Sequence, residues 1–108
     1  MTEALEQSRP GLMARFTKAV QQHQFSPRTR QQYLHWVTRF VVFHDLQDPT
    51  ALSQRHIASF LEHLQHHLKL SRARFNQALT ALAFLYADVL QLPFEVSLQQ
   101  NHSLQLKA

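Results

Sequence analysis

The sequence predicts a compact all-α domain of four helices, and three observations support this. Only one Gly and four Pro occur in 108 residues, too few for the many turns of an all-β chain. Apolar residues recur at helical spacing along four segments. Serines that can cap a helix precede three of these segments, at Ser26, Ser53 and Ser71. The length and a hydrophobic fraction of 44% suit one domain with a single core.

The first helix is predicted over about residues 10–23 and the second over about residues 27–45. The second begins at a clear signal, because Ser26 can cap it and Pro27 suits its first position. The apolar stripe of the first helix comprises Leu12, Phe16, Ala19 and Val20. In the second helix the apolar face comprises Tyr33, Leu34, Trp36, Val37, Phe40 and Val41, and the polar face comprises Arg28, Gln32, His35 and Arg39.

The third helix is predicted from the Ser53 cap to about Leu68, and the fourth from the Ser71 cap to about Leu90. The fourth is apolar on nearly every side after residue 78, which is typical of a central, buried helix. The inward residues expected of the third helix are Ile57, Phe60, Leu61, Leu64 and Leu68. We expect a domain over residues 10–96, a flexible tail over 1–9, and a linker or frayed tail over 97–108.

The composition excludes several classes of protein. With no Cys, neither a disulfide framework nor a thiolate zinc site is possible. No apolar run approaches the ~20 residues of a membrane span, and the first residues do not resemble a signal peptide. A single Gly cannot supply a phosphate-binding loop. We therefore expect a cytoplasmic protein with no membrane partner, no cofactor and no metal.

Basic residues are segregated from acidic ones along the chain. The formal net charge is +4, yet the distribution says more than the total. No acid lies between Glu6 and Asp45 or between Glu62 and Asp88. These two windows hold nine of the eleven Lys and Arg residues: Arg9, Arg15, Lys18, Arg28, Arg30, Arg39, Lys69, Arg72 and Arg74. Such segregation favours an anionic partner.

Arginines open the second and fourth helices, where the helix dipole disfavours cations. The second opens with Arg28 and Arg30 behind Ser26, and the fourth with Arg72 and Arg74 behind Ser71. An exposed cation there costs about 0.3–1 kcal/mol. A bound phosphate turns this free-energy cost into a gain, because free backbone N–H groups, the helix dipole and the guanidinium groups then all face one anion. On one helix such arginines are more often a plain solvated surface, but the repeat favours phosphate binding.

Two stretches of the sequence resemble one known family. The run Ser26-Pro27-Arg28-Thr29, followed by Tyr33, Trp36 and Arg39-Phe40, is similar to the opening of the core-binding domain of tyrosine recombinases, the phage integrases. Ser71, Asn76-Gln77-Ala78-Leu79, Leu82 and Phe84-Leu85-Tyr86 are similar to the last helix of that domain. The resemblance spans about residues 12–93 and is closest to integron-type integrases.

This resemblance implies a four-helix SAM-like domain of two crossed helical hairpins that forms half of a clamp around duplex DNA at a recombination core site. An isolated domain is then expected to be a monomer, and the whole protein to oligomerise on DNA. Carried over by position, with the two flanking cations of the basic surface added, the expected DNA-binding residues are Ser26, Arg28, Thr29, Arg30, Tyr33, Arg39, Lys69, Ser71, Arg72, Arg74, Asn76 and Gln77.

The chain departs from the family at Ala73 and Arg74, where small hydroxyl residues are common. In the family a second domain carries the catalytic arginines, histidines and tyrosine nucleophile, and this chain stops before such a domain could fit. Tyr33 and Tyr86 have apolar neighbours and are not expected to act as nucleophiles. We expect a non-catalytic fragment, or an N-terminal domain on its own.

Other functions are less favoured by the residues. His63 and His67 have the i, i+4 spacing of a metal-binding pair, but further ligands are missing, so a solvated face is favoured. Trp36 and the eight Phe could stack on bases, but their helical spacing with Val and Leu favours the core. A helical protein-interaction module is the alternative function, supported if part of the apolar fourth helix is exposed.

Overall fold

The computed structural model describes residues 3–94, and this part of the chain is all-helical and contains no strand. The α-helices are α1 Glu3–Ser8, α2 Leu12–His23, α3 Pro27–Phe43, α4 Gln54–Glu62 and α5 Arg72–Ala83. A 3-10 turn, Pro49–Ala51, lies between α3 and α4. Helices α4 and α5 each continue into a wider π turn, over His63–His67 and Phe84–Val89. The four predicted helices correspond to α2–α5, and the all-α fold class is confirmed.

The three predicted serine caps are all formed. Ser26 Oγ accepts a hydrogen bond from the Thr29 N–H, and Ser71 Oγ accepts one from the Arg74 N–H, each at 3.2 Å. Ser53 Oγ accepts from the Arg55 N–H, also at 3.2 Å. Because each cap satisfies a donor that the helix itself leaves unpaired, these serines fix where α3, α4 and α5 begin.

The predicted flexible tail over 1–9 is corrected at residues 3–8. Residues Glu3–Ser8 form α1, which packs on α2 and α3. Leu5 is completely buried, and the buried Ser8 hydroxyl donates to the Leu5 carbonyl at 2.7 Å. The sequence signal is weak because six residues give too few turns for an apolar period. Gly11, at φ 89°, turns the chain from α1 into α2 in a conformation that glycine adopts freely. The expected tail over 97–108 lies outside the described residues.

Helix α5 lies at the centre of the core, as its apolar sequence predicts. It makes its most extensive packing contact with α3. Its residues Ala78, Ala81 and Leu82, with Leu85 of the following turn, have no exposed surface. One inward prediction was wrong, because Leu68 is 41% exposed: the helical segment ends at His67, so Leu68 no longer continues the buried stripe.

The connection between α3 and α4 is tied to the core by Tyr86. The Tyr86 hydroxyl donates to the Pro49 carbonyl oxygen at 2.8 Å, and Pro49 itself is buried. Burial raises the pKa of Tyr86, and the nearby Asp48 adds to that rise. Asp48 in turn accepts from the Thr50 N–H and pairs with Arg9 at 2.8 Å. This network holds the 3-10 turn against α5 and against the segment after α1.

Candidate nucleic-acid interface

The start of α3 is exposed and lacks any acidic residue in its first turn. Ser26 caps it, and the Ser26 hydroxyl also lies 3.1 Å from Thr29 Oγ1. Arg28 and Arg30 are exposed beside it. Pro27 has no N–H, and those of Thr29 and Arg30 bond to Ser26. The Arg28 N–H, the positive end of the dipole and two guanidinium groups are therefore available to an anion.

The start of α5 repeats this arrangement. Ser71 caps it, and its first turn contains no acid. Arg72 and Arg74 are exposed. Lys69 is exposed just before the cap, with a left-handed φ of 49°. Three cations thus lie within the last residues of the connection and the first turn of the helix.

The two helix starts do not lie side by side. The Arg74 guanidinium lies 5.6 Å from the ring centroid of Trp36, in the middle of α3. Along α3, Trp36 is about 15 Å beyond Ser26 at ~1.5 Å per residue. Helix α5 therefore begins beside the middle of α3. Any partner that engages both starts must extend along α3 and cannot be a single phosphate.

The polar face of α3 connects the two starts. Arg28, His35 and Arg39 are exposed along it, and Gln32 is half-buried between them. At its far end the Arg39 guanidinium lies 5.6 Å from the Trp36 ring centroid, the same distance as that of Arg74. This face runs from Arg28 to Arg39 and meets Arg74 beside Trp36. We call the surface formed by this face and the two helix starts the basic strip; its Lys and Arg residues are Arg28, Arg30, Arg39, Lys69, Arg72 and Arg74.

None of the cations of the basic strip is neutralised by a neighbouring carboxylate within residues 3–94. In that range, Arg9 is the only Lys or Arg with an acidic partner, Asp48 at 2.8 Å. His35 lies within the same field, with its ring 4.8 Å from that of Trp36. Partial burial lowers the pKa of His35, and the charges of Arg39 and Arg74 lower it further. The strip is therefore positive and has room for an anionic partner.

The remaining predicted residues occupy different positions. Tyr33 is half-buried, with its ring 5.0 Å from Phe25 and 5.2 Å from Phe84. Burial raises the pKa of Tyr33, and Asp88 raises it further. Asn76 is exposed in α5, and Gln77 is half-buried. Tyr33 thus packs against the residue before the α3 cap and the π turn after α5, whereas Asn76 is open to a partner.

Sequence reasoning missed the role of Trp36 in joining the two helices. It assigned Trp36 to the core, and the side chain is indeed only 1% exposed. The contact of Arg39 follows from its i, i+3 spacing on the same helix. The contact of Arg74 carries no local signal, because it depends on how α5 packs against α3.

Four histidines form two pairs in the described part of the chain, and no group there of three or more His, Asp or Glu could hold a metal ion. His63 and His67 stack at 5.2 Å. His44 Nε2 lies 2.9 Å from the His56 carbonyl oxygen. Among residues 3–94 there is also no helix with the length and apolar character needed to cross a bilayer.

The apolar surface of α5 is largely unavailable to a protein partner, because its large apolar side chains are buried apart from the half-buried Leu79. The exposed large apolar side chains lie elsewhere: Val42 and Phe43 at the end of α3, and Leu46, Leu68 and Leu92 outside the α-helices. Val42 and Phe43 border a groove of about 280 Å³ with Phe60 and His63. The protein-interaction alternative depended on exposed apolar surface on α5, and the burial of that surface removes its support.

Comparison with known proteins identifies a family. The family described as phage integrase, N-terminal SAM-like domain, matches residues 12–95. Two curated relatives, each described as an integrase/recombinase, come from Escherichia coli and Pseudomonas aeruginosa. Each is 41% identical to this chain over 66 residues, which are 61% of this chain and 20% of the relative. The matched segment therefore spans about a fifth of the length of these relatives.

Proposed function

The chain belongs to the family of phage integrase N-terminal SAM-like domains, and we propose that it binds duplex DNA as the core-binding part of a site-specific tyrosine recombinase. In this proposal the basic strip lies along the DNA backbone at a recombination core site and forms one half of a clamp. The observation that carries the proposal is the strip itself: two acid-free helix starts, each with exposed arginines, and the exposed polar face of α3 that links them.

Phosphate contacts explain why the local rules for helix starts are broken twice. A phosphate at either start receives backbone N–H donors, the helix dipole and Arg side chains, and displaces counterions from the DNA. Contacts of this kind fix position and orientation without reading bases. The segment therefore contributes affinity for DNA and fixes the position of the protein along it. In this proposal strand cleavage belongs to a separate catalytic domain. The segment is a monomer alone and assembles with other copies on DNA.

The test is duplex DNA binding measured against salt concentration. We expect the chain to bind weakly, at about 10⁻⁴–10⁻⁶ M at physiological salt, with a clear negative slope of log affinity against log salt. A variant with Arg72→Glu and Arg74→Glu should bind more weakly and with a shallower slope. The matched control is Arg15→Glu with Lys18→Glu, which makes the same charge change on α2, beside Asp88 and Gln91 at the opposite end of the helical segment from the α5 start.

Two outcomes contradict parts of the proposal separately. If the α5 variant binds as tightly as the parent while remaining folded, α5 is not a contact surface. If the parent shows no salt-dependent binding to duplex DNA even at low salt, DNA binding itself is wrong. Folding of each variant is checked by circular dichroism and by its urea unfolding midpoint.

A further inference from the structure

Two arginines from different helices converge on one buried aromatic ring. The guanidinium carbons of Arg39, from α3, and Arg74, from α5, each lie 5.6 Å from the Trp36 ring centroid. They are therefore at most about 11 Å apart, the sum of two such distances. His35 meets the same ring edge-on at 4.8 Å. We call Trp36, Arg39, Arg74 and His35 the tryptophan cluster.

The tryptophan cluster concentrates positive charge without a counterion from the described residues. Neither arginine pairs with a carboxylate within residues 3–94. Attraction to the electron-rich ring holds each guanidinium in place, while the two like charges repel one another. The ring thus fixes the positions of two cations, and their charge is available to an added anion.

We propose that the tryptophan cluster is a single site for two neighbouring phosphates of one DNA strand, with Trp36 as the positioning residue that presents Arg39 and Arg74 together. The inference rests on the proposed DNA binding and deepens it. The two guanidinium carbons are at most about 11 Å apart, and charges follow one another along a DNA strand every ~3.4 Å of helix axis, so neighbouring phosphates lie within reach of the pair. Each guanidinium can then face its own phosphate.

His35 adds a third, conditional charge to the site. The groups facing it are Trp36 and Arg39 on its own helix and Arg74 from α5. In the free protein the two arginines and partial burial favour its neutral form. Bound phosphates offset that field, so His35 takes up a proton when DNA binds, and affinity rises as the pH falls from about 8 to 6.

Single and double Arg→Gln variants test the two phosphate contacts. Losing one contact should make the salt slope shallower by about 0.9 and lower the affinity about eightfold at 0.1 M salt relative to 1 M. We therefore expect R39Q and R74Q each to show that loss. In the double variant the salt slope should become shallower by twice the change seen in either single variant. The control R15Q removes one exposed charge from α2 and should keep the slope to within a few tenths.

Trp36→Phe separates positioning from contact. Phe keeps a ring in the core but attracts cations less than Trp does. Both arginines remain, so the salt slope should stay unchanged while the affinity falls about two- to fivefold, the equivalent of 0.5–1 kcal/mol. A merely structural role would lower the unfolding midpoint and leave the affinity of the folded protein unaltered, and that result would overturn the positioning role.

The protein carries its own probe, because Trp36 is the only Trp in the chain. Its fluorescence should change as DNA is added, and R39Q/R74Q should lose that change even at low salt, where it still binds. The pH effect should disappear in His35→Gln but persist in His66→Gln, an exposed histidine on the turn after α4.

The outcomes distinguish this inference from the proposed function. If the parent does not bind DNA, both fail. If it binds, but R39Q and R74Q keep the parental slope, or Trp36 emission responds equally in R39Q/R74Q, the tryptophan cluster is not the phosphate site while DNA binding stands. The cluster is supported if the slopes fall additively and the emission change is lost.

Discussion

Helices α4 and α5 both begin behind a serine cap with an arginine in the first turn, yet their starts are built differently. At α4 the cap is reciprocal: Ser53 accepts a helix N–H, and His56 Nδ1 accepts the Ser53 N–H at 2.9 Å. At α5, Ser71 accepts one N–H and no side chain returns the bond. The start of α4 is closed by its own residues, whereas those of α5 and α3 are open.

This difference shows that an arginine near a helix start is a weak sign of phosphate binding by itself. Arg55 occupies the first turn of α4 as Arg72 does in α5. Two features distinguish the two arginines: whether the nearby backbone N–H donors are already bonded, and whether other cations lie close by. The open starts join the basic strip, while the closed start has its donors occupied by Ser53 and His56.

The largest expected effect is on DNA affinity and comes from substitutions at the open starts that leave the closed start unchanged. Replacing Arg28 and Arg74 by Glu removes one phosphate contact at each open start. At about eightfold per contact, DNA affinity should fall by some 60-fold or more at 0.1 M salt. A fluorescence anisotropy titration with a labelled duplex measures it.

The matched control for that pair is Arg15→Glu with Arg55→Glu, which changes the charge equally and includes the closed start. We expect it to weaken binding by no more than a few-fold, through net charge alone. Equal losses in the two pairs would mean that overall charge, and not the open starts, governs DNA binding.

The next effect is on stability and should be greatest at the closed start. Ser→Ala at a helix cap costs about 0.5–2 kcal/mol. Ser53→Ala should approach the upper end because it removes both hydrogen bonds of Ser53 Oγ, to the Arg55 N–H and to His56 Nδ1. Ser71→Ala removes one and should lie near the lower end. Urea unfolding gives each free energy; a larger loss at Ser71 than at Ser53 would contradict the closed and open distinction.

A smaller effect concerns charge at the open starts in the absence of DNA. Arg28→Glu or Arg72→Glu places an acid at the positive end of a helix dipole and should raise the free energy of unfolding by about 0.3–1 kcal/mol at low salt. The same variants should bind DNA more weakly. Arg55→Glu should give a similar gain in stability with affinity retained, and a loss of stability in all three variants would refute the dipole argument.

The smallest effect is the contribution of His44, which contacts the closed start through the His56 carbonyl, to the pH dependence of stability. His44 Nε2 lies 2.9 Å from the His56 carbonyl oxygen, and burial lowers the pKa of His44 despite that bond. Because the folded pKa lies below the ordinary 6.5, this contribution to stability is complete above about pH 6.5 and declines as the pH falls below it. Unfolding of the parent and of His44→Gln between pH 7.5 and 5 should show a smaller decline in the variant, and equal declines would exclude His44 as the cause.

The helices and their serine caps could be predicted because their signals are local. Ser26, Ser53 and Ser71 stand directly before apolar periods, and capping depends only on the next three residues. The reciprocal cap at α4 was missed because its partner is His56, where Glu or Gln is the usual signature. The basic face of α3 was predicted by spacing, whereas the approach of Arg74 to Trp36 depends on tertiary packing and has no local signature. The roles assigned to individual DNA-binding residues remain predictions.

Helix α1 has a consequence for where this domain is cut. The family match begins at residue 12, after α1 has already buried Leu5 against its neighbours. A chain trimmed to that boundary would expose apolar surface on α2 and α3. It would also lose the salt bridge between Arg9 and Asp48. Such a trimmed protein should be less soluble and more prone to self-association, although every residue assigned to DNA is still present.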